Sequence, residues 1–154
     1  MKYSLAKLIV SVVLVVWFFA MPQAGFTGEW EIGGHMLYPL SHANIWHLFA
    51  NLLCLWMIPC GLHLTVATFV AVLCSFLPCF ISEPTVGFSG VLFSIVGISW
   101  GKAHRFRDMI WRNKWFLLIP VFIPHVNALL HVYCLVGGYL IGHFVRDLGD
   151  SDWL

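Results

Sequence analysis

The sequence predicts an all-α membrane protein, and three observations carry that expectation. Of 154 residues, 60% are apolar and only 10% charged, with a mean hydropathy of +0.88; soluble domains carry roughly 25% charged residues. The apolar residues gather into six runs separated by polar or turn-prone breaks. A single choice of direction then puts every Lys and Arg on one side of a bilayer. Helices are the expected spanning form in so short a chain, because a helix satisfies its own backbone polar groups where water is absent.

The runs fall at 8–24, 45–58, 62–81, 87–101, 109–124 and 126–145. A helical span needs ~20 residues, with ~17 as the lower end. The first, third and sixth runs meet or nearly meet that length. The second and fourth reach it only with their polar flanks. The fifth, whose densest part is 115–124, reaches it only by starting near Met109. With no internal repeat or low-complexity tract, residues 1–154 read as one domain, a compact six-helix bundle.

With a cytoplasmic amino terminus, Lys2, Lys7, Lys102, Arg105, Arg107, Arg112, Lys114 and Arg146 all fall inside, while Glu29, Glu31 and Glu83 fall outside. Positive charge concentrates on the cytoplasmic side of membrane proteins. The expected location is therefore the cell membrane, multi-pass, with both termini cytoplasmic. Reading 1–24 as a cleaved signal peptide would put Pro22 where a small residue belongs. A net charge of +1 gives no basic surface for nucleic acid. The five cysteines, at 54, 60, 74, 79 and 134, have no zinc-type spacing and read as small buried apolar residues.

In such a chain the informative residues are the polar ones at membrane depth. One group, from Ser41 through His42 and His47 to Asn51, leads into the second run. Another, Gly87-Phe88-Ser89-Gly90, opens the fourth. The last is His131 in the sixth, followed by Gly138 and Gly142. A serine hydroxyl becomes a nucleophile when a base takes its proton, and histidine is the usual base. In isolation the glycine-flanked serine also fits helix packing, and a single intramembrane histidine also fits a packing role.

Spacing brings the two together. The fourth and sixth spans run in the same direction, and each carries two glycines four apart, Gly97/Gly101 and Gly138/Gly142, a pattern that lets backbones approach closely. With those glycines side by side, Ser89 lies eight residues above Gly97 and His131 seven above Gly138. At ~1.5 Å per residue the two match in depth. His131, Gly138 and Gly142 share one helix face, and Gly90, Gly97 and Gly101 share another with Ser89 at its edge. In the second span His47 and Asn51 share a face. They suit either donation to a developing oxyanion or an interhelical polar clamp.

Taken together, these groups resemble the rhomboid family of intramembrane serine proteases over about residues 36–145. The family's His-x4-His-x3-Asn is matched by His42, His47 and Asn51. Its GxSG is matched by Gly87-Phe88-Ser89-Gly90, and its sixth-helix histidine by His131, with Gly138 seven residues on. Phe93 stands where many members have tyrosine, and Cys134 where glycine is usual. Leu130 occupies a position commonly held by a small residue, and the Gly28–Glu31 stretch lacks a Trp-Arg pair.

The resemblance implies a Ser89–His131 dyad that hydrolyses peptide bonds in or near transmembrane segments. His131 would act as general base and then acid. Asn51, His47 and the Ser89 amide would form the oxyanion hole, and His42 would border the water pocket. Gly87, Gly90, Phe93, Gly138 and Gly142 would support the site. Single-span membrane proteins are the implied substrates, and the lipid bilayer is the other partner. No cofactor is implied, and no metal, because no carboxylate or cysteine accompanies His42, His47 and His131. The alternative is an inactive relative that binds membrane clients. His125 would face away from His131, and His35, His63, His104 and His143 read as interfacial residues.

Overall fold

The computed structural model describes residues 2–22, 24–27, 31–58, 63–77, 84–103, 107, 111 and 127–147. Among these the regular structure is helical: α1 (Lys2–Ala20), α2 (Ile32–Leu37), α3 (Ile45–Met57), α4 (His63–Ser75), α5 (Ser89–Lys102) and α6 (Ala128–Asp147). Extended pairing among the described residues is confined to an isolated bridge between Phe26 and Thr85. The chain is all-α. Among the described residues one helix, over Ala128–Val145, is long and apolar enough to cross a membrane; Ser4–Ala20, Ile45–Met57 and His63–Ser75 are apolar but shorter. Apart from Trp111, the predicted fifth span lies outside the described residues, as do Cys60, Cys79, His104 and His125.

Helix boundaries depart from the apolar runs for local reasons. The first run, 8–24, is helical over Lys2–Ala20. Pro22 disfavours helical backbone at Met21, which ends the helix early. At the other end the helix runs through Lys7. The sequence predicts Lys7 as a charge on the inner surface, but its side chain is 8% exposed. Its ammonium donates to the carbonyls of Ile58 (2.6 Å) and Trp56 (3.3 Å). These carbonyls end α3 and have no partner within the helix, so a cation there satisfies them and complements the dipole. Ser11 Oγ accepts from Trp56 Nε1 at 3.1 Å. The start of α1 thus lies beside the end of α3, and the two helices are antiparallel. The third run, 62–81, is helical only to Ser75, and Leu77 precedes Pro78.

The stretch 25–41, predicted as a loop, contains α2, which seats Gly34 on the backbone of Gly25: a Cβ there would lie 2.6 Å from the Gly25 oxygen. His35 is not interfacial. It is buried between the rings of Phe26 and Phe76, with centroids 4.5 and 4.1 Å away. The Ser75 hydroxyl donates to the Val72 carbonyl (2.6 Å), so in the 2.9 Å contact between His35 Nδ1 and Ser75 Oγ the histidine is the donor. This serine–histidine pair joins α2 to α4 and leaves the serine proton committed to backbone.

Helix α5 is the centre of the core. Apolar and small residues surround it, and nearly all of it is buried, as expected of a helix apolar on every face. On one side α4 presents Ala67, Val70, Ala71, Cys74 and Ser75, a stripe at helical spacing. The closest packing is between α5 and α6. A Cβ at Gly97 would run into the Leu135 carbonyl oxygen, one at Gly101 into that of Tyr139, one at Gly138 into that of Ser94 and one at Gly142 into that of Ile98. Residue numbers rise together along both helices, so α5 and α6 are parallel and in backbone contact.

Candidate active site

The upper end of this seam carries Ser89 and His131. Ser89 Oγ lies 2.8 Å from His131 Nε2. A neutral imidazole that accepts the serine hydrogen bond at Nε2 carries its own proton on Nδ1. That atom is buried and has no hydrogen-bond partner among the described residues. The imidazole is instead oriented by packing, with Phe93 stacked on it at 4.4 Å between centroids and 21° between planes. The phenyl ring sits one turn beyond Ser89 on the same helix, so a single element delivers both the hydroxyl and the surface that steers its partner.

Ser89 is the first residue of α5, after an N-cap, Phe88, that makes no side-chain cap. N–H groups in a first helical turn have no acceptor within the helix. They point to the positive end of the dipole, which makes this terminus a ready donor to negative charge. The approach to Ser89 turns at Gly87, whose φ of 123° is a conformation that side-chain-bearing residues rarely adopt. A Cβ at Gly87 would also lie 2.6 Å from His47 Cε1 and 2.7 Å from its Nε2, and 3.6 Å from Ser89 Oγ. The His47 ring therefore lies flush against the loop that presents the serine. Gly90 is equally confined, with a Cβ there 2.8 Å from Tyr38 Oη and 3.3 Å from Cys134 Sγ.

Helix α3 brings the remaining residues. Asn44 caps it, its Oδ1 accepting from His47 N–H at 2.9 Å. Asn51 is buried, and its Nδ2 donates to the His47 carbonyl one turn back at 3.0 Å. That bond stays within α3, so among the described residues Asn51 forms no interhelical clamp. An amide nitrogen carries two N–H groups, and the second is not consumed by this bond. His42 packs edge-on to His47, with centroids 5.3 Å apart, and its Nδ1 contacts the Leu40 carbonyl at 3.2 Å. Burial first, and the neighbouring His47 second, bring its pKa down to about 4, against an opposing pull from the Leu40 carbonyl.

The structure thus gathers Ser89, His131, Phe93, Gly87, Gly90 and His47 at one place, with Asn51 and His42 tied to it through His47. Gly138 and Gly142 lie below, in the seam. Tyr38 also belongs to the site, and the sequence reading missed it. It is fully buried, its Oη donates to the Ala71 carbonyl at 3.0 Å, and its backbone carbonyl accepts from Gly87 N–H at 2.9 Å. Its position four residues before His42 was the available signal. A tyrosine beside the polar group of an apolar chain needs a partner for its hydroxyl. No protein-family model matches the chain, and no curated protein matches it.

Proposed function

We propose that this protein is an intramembrane serine endopeptidase of the rhomboid type, a polytopic membrane protein that cleaves single-span substrates in or near their transmembrane segments. The observation that carries the reading is the 2.8 Å hydrogen bond between Ser89 Oγ and His131 Nε2 at a helix N-terminus reached through a positive-φ glycine. In this reading Ser89 Oγ attacks the scissile carbonyl carbon while its proton passes to His131 Nε2. The oxyanion so formed is met by the Ser89 N–H, the Asn51 amide and the His47 imidazole. His131 then returns the proton to the leaving amine, and a water activated by the same imidazole releases the acyl group.

The membrane setting is supported by the one-sided distribution of Lys and Arg. It is also supported by the apolar side chains that α1 and α3 leave uncovered, among them Leu8, Val12, Phe19, Trp46, Phe49 and Leu53. The contact between Ser89 and His131 favours an enzyme over an inactive client-binding relative, which would have no need of it. The test is labelling of purified protein with a fluorophosphonate, together with cleavage of a reconstituted single-span substrate. Wild type is expected to label and to cleave, while Ser89→Ala and His131→Ala insert normally and do neither. Cleavage by either variant at the wild-type rate overturns the proposal.

A further inference from the structure

One buried side chain links the two halves of the Ser89–His131 pair at their upper ends. Asn127 stands just before α6 and is 6% exposed. Its Oδ1 accepts from Leu130 N–H at 2.9 Å and its carbonyl from His131 N–H at 3.3 Å, which is the geometry of a helix N-cap. Its Nδ2 donates across the core to Thr85 Oγ1 at 3.1 Å. Thr85 is itself pinned by Phe26, donating to its carbonyl at 2.8 Å and accepting from its N–H at 3.3 Å. Two residues later the chain enters the turn at Gly87, held by the Tyr38 carbonyl, and then reaches Ser89. One amide therefore grips both the first turn of the histidine helix and the segment that delivers the serine.

The glycine seam alone does not fix the distance between the two groups. Backbone contacts through Gly97, Gly101, Gly138 and Gly142 limit how closely α5 and α6 approach at the middle and lower part of the seam. A slide separates Ser89 from His131 as surely as a gap does. The Asn127–Thr85 bond crosses from one element to the other at the level of the dyad and opposes that slide.

We infer that Asn127 is a positioning residue for the Ser89–His131 pair, acting through its hydrogen bond to Thr85; the inference rests on the hydrolase reading given above. Thr85→Val removes the acceptor, keeps the side-chain shape and leaves the helix cap intact. Asn127→Ala removes bond and cap together. Asn127→Asp keeps the cap acceptor and can accept a hydrogen bond from the Thr85 hydroxyl in place of donating one.

The experiment measures the second-order rate of fluorophosphonate labelling at Ser89 in the full-length protein. It is run well below each variant's melting temperature, which is recorded alongside. A misplacement of ~1 Å costs ~100-fold, so Thr85→Val and Asn127→Ala should each label about 10- to 100-fold more slowly. The double variant should be no slower than Asn127→Ala alone, because the two share one bond, and Asn127→Asp should return close to the wild-type rate. Thr85→Ala compared with Thr85→Ser gives the same contrast if valine disturbs the bridge to Phe26. A merely structural cap would lower the melting temperature of Asn127→Ala and leave Thr85→Val labelling at the wild-type rate, which overturns the inference. Losses that multiply in the double variant overturn it too. Wild-type protein that takes no label at Ser89 overturns the hydrolase reading itself, and the positioning role with it.

Discussion

Replacing Gly138 tests most directly how packing sets the chemistry. A Cβ at this position would overlap the Ser94 carbonyl oxygen and stand 3.0 Å from both the Cα and the carbonyl carbon of Ser94. Carbon atoms pack best at ~3.5–4.0 Å, so even alanine asks α5 and α6 to part by about 0.5–1 Å. The obstacle is backbone in the middle of a buried helix and cannot turn aside as a side chain can. The 2.8 Å contact between Ser89 and His131 would stretch to about 3.3–3.8 Å, at or past the limit of a useful hydrogen bond. At ~100-fold per ångström of misplacement, Gly138→Ala should lose about 10- to 100-fold in rate and Gly138→Leu should fall to background.

Gly137, one position round the helix, is the control. A Cβ there meets the ends of two side chains, Val70 Cγ1 at 3.1 Å and Cys74 Sγ at 3.2 Å, which have freedom to move. Gly137→Leu should lose less. Rates of cleavage and of fluorophosphonate labelling are measured together with membrane insertion and heat stability, so that misfolding is separated from misalignment. Gly138→Leu working at the wild-type rate would refute the link between the seam and catalysis.

Three further outcomes are expected. Asn51→Ala should keep part of its probe labelling yet lose about two orders of magnitude in turnover, as for a missing oxyanion donor; activity and melting temperature falling in equal measure would point to a structural role instead. His42 is held neutral in the fold with a pKa of about 4 against an ordinary 6.5. The unfolded chain therefore binds the proton first as pH falls. Its stabilising contribution is complete above about 6.5 and lost progressively toward 4, so the melting temperature in detergent should decline over that window and decline less in His42→Gln. Chelation with EDTA should leave cleavage unchanged, since the proposed chemistry uses no metal; loss with recovery on adding zinc would reverse that assignment.

Much of the site was legible because its determinants are local and periodic. Gly97/Gly101 and Gly138/Gly142 repeat at one helical turn, and counting upward from them put Ser89 and His131 at equal depth. The structure brings the pair to hydrogen-bonding distance with α5 and α6 parallel. What escaped the reading depends on partners distant in sequence. Lys7 reads as a surface charge until the end of α3 is placed beside it. His35 reads as a loop residue until Phe26 and Phe76 close over it. Asn127 falls inside the last apolar run, and its bond to Thr85 is set by a contact 42 residues away. Two helices end before the apolar runs do, at Pro22 and Pro78, because hydropathy counts side chains and ignores the backbone limit on the preceding residue.

His131 Nδ1 is buried without a hydrogen-bond partner among the described residues, and the neighbours of the pair include an aromatic ring and glycines. In a serine–histidine–aspartate triad a carboxylate fixes the tautomer and aim of the imidazole. Here the described residues that touch the ring include Ser89, by a hydrogen bond, and Phe93, by stacking. Phe93 supplies a flat surface for the imidazole. Gly90 leaves room for Tyr38 and Cys134 beside the serine. The seam sets the approach of the helices, and Asn127 opposes their slide. Each of these acts through van der Waals contact or a bond remote from the reacting atoms. Each is therefore sensitive to a change of a single methyl group in a way that a charged third residue would not be. In the proposed membrane setting, a site aligned by shape also avoids a fixed carboxylate, which is expensive to hold ionised at that depth. Packing in place of charge suits a chain that is 60% apolar and 10% charged, and it keeps the serine and the histidine in register through contacts that such a chain has in plenty.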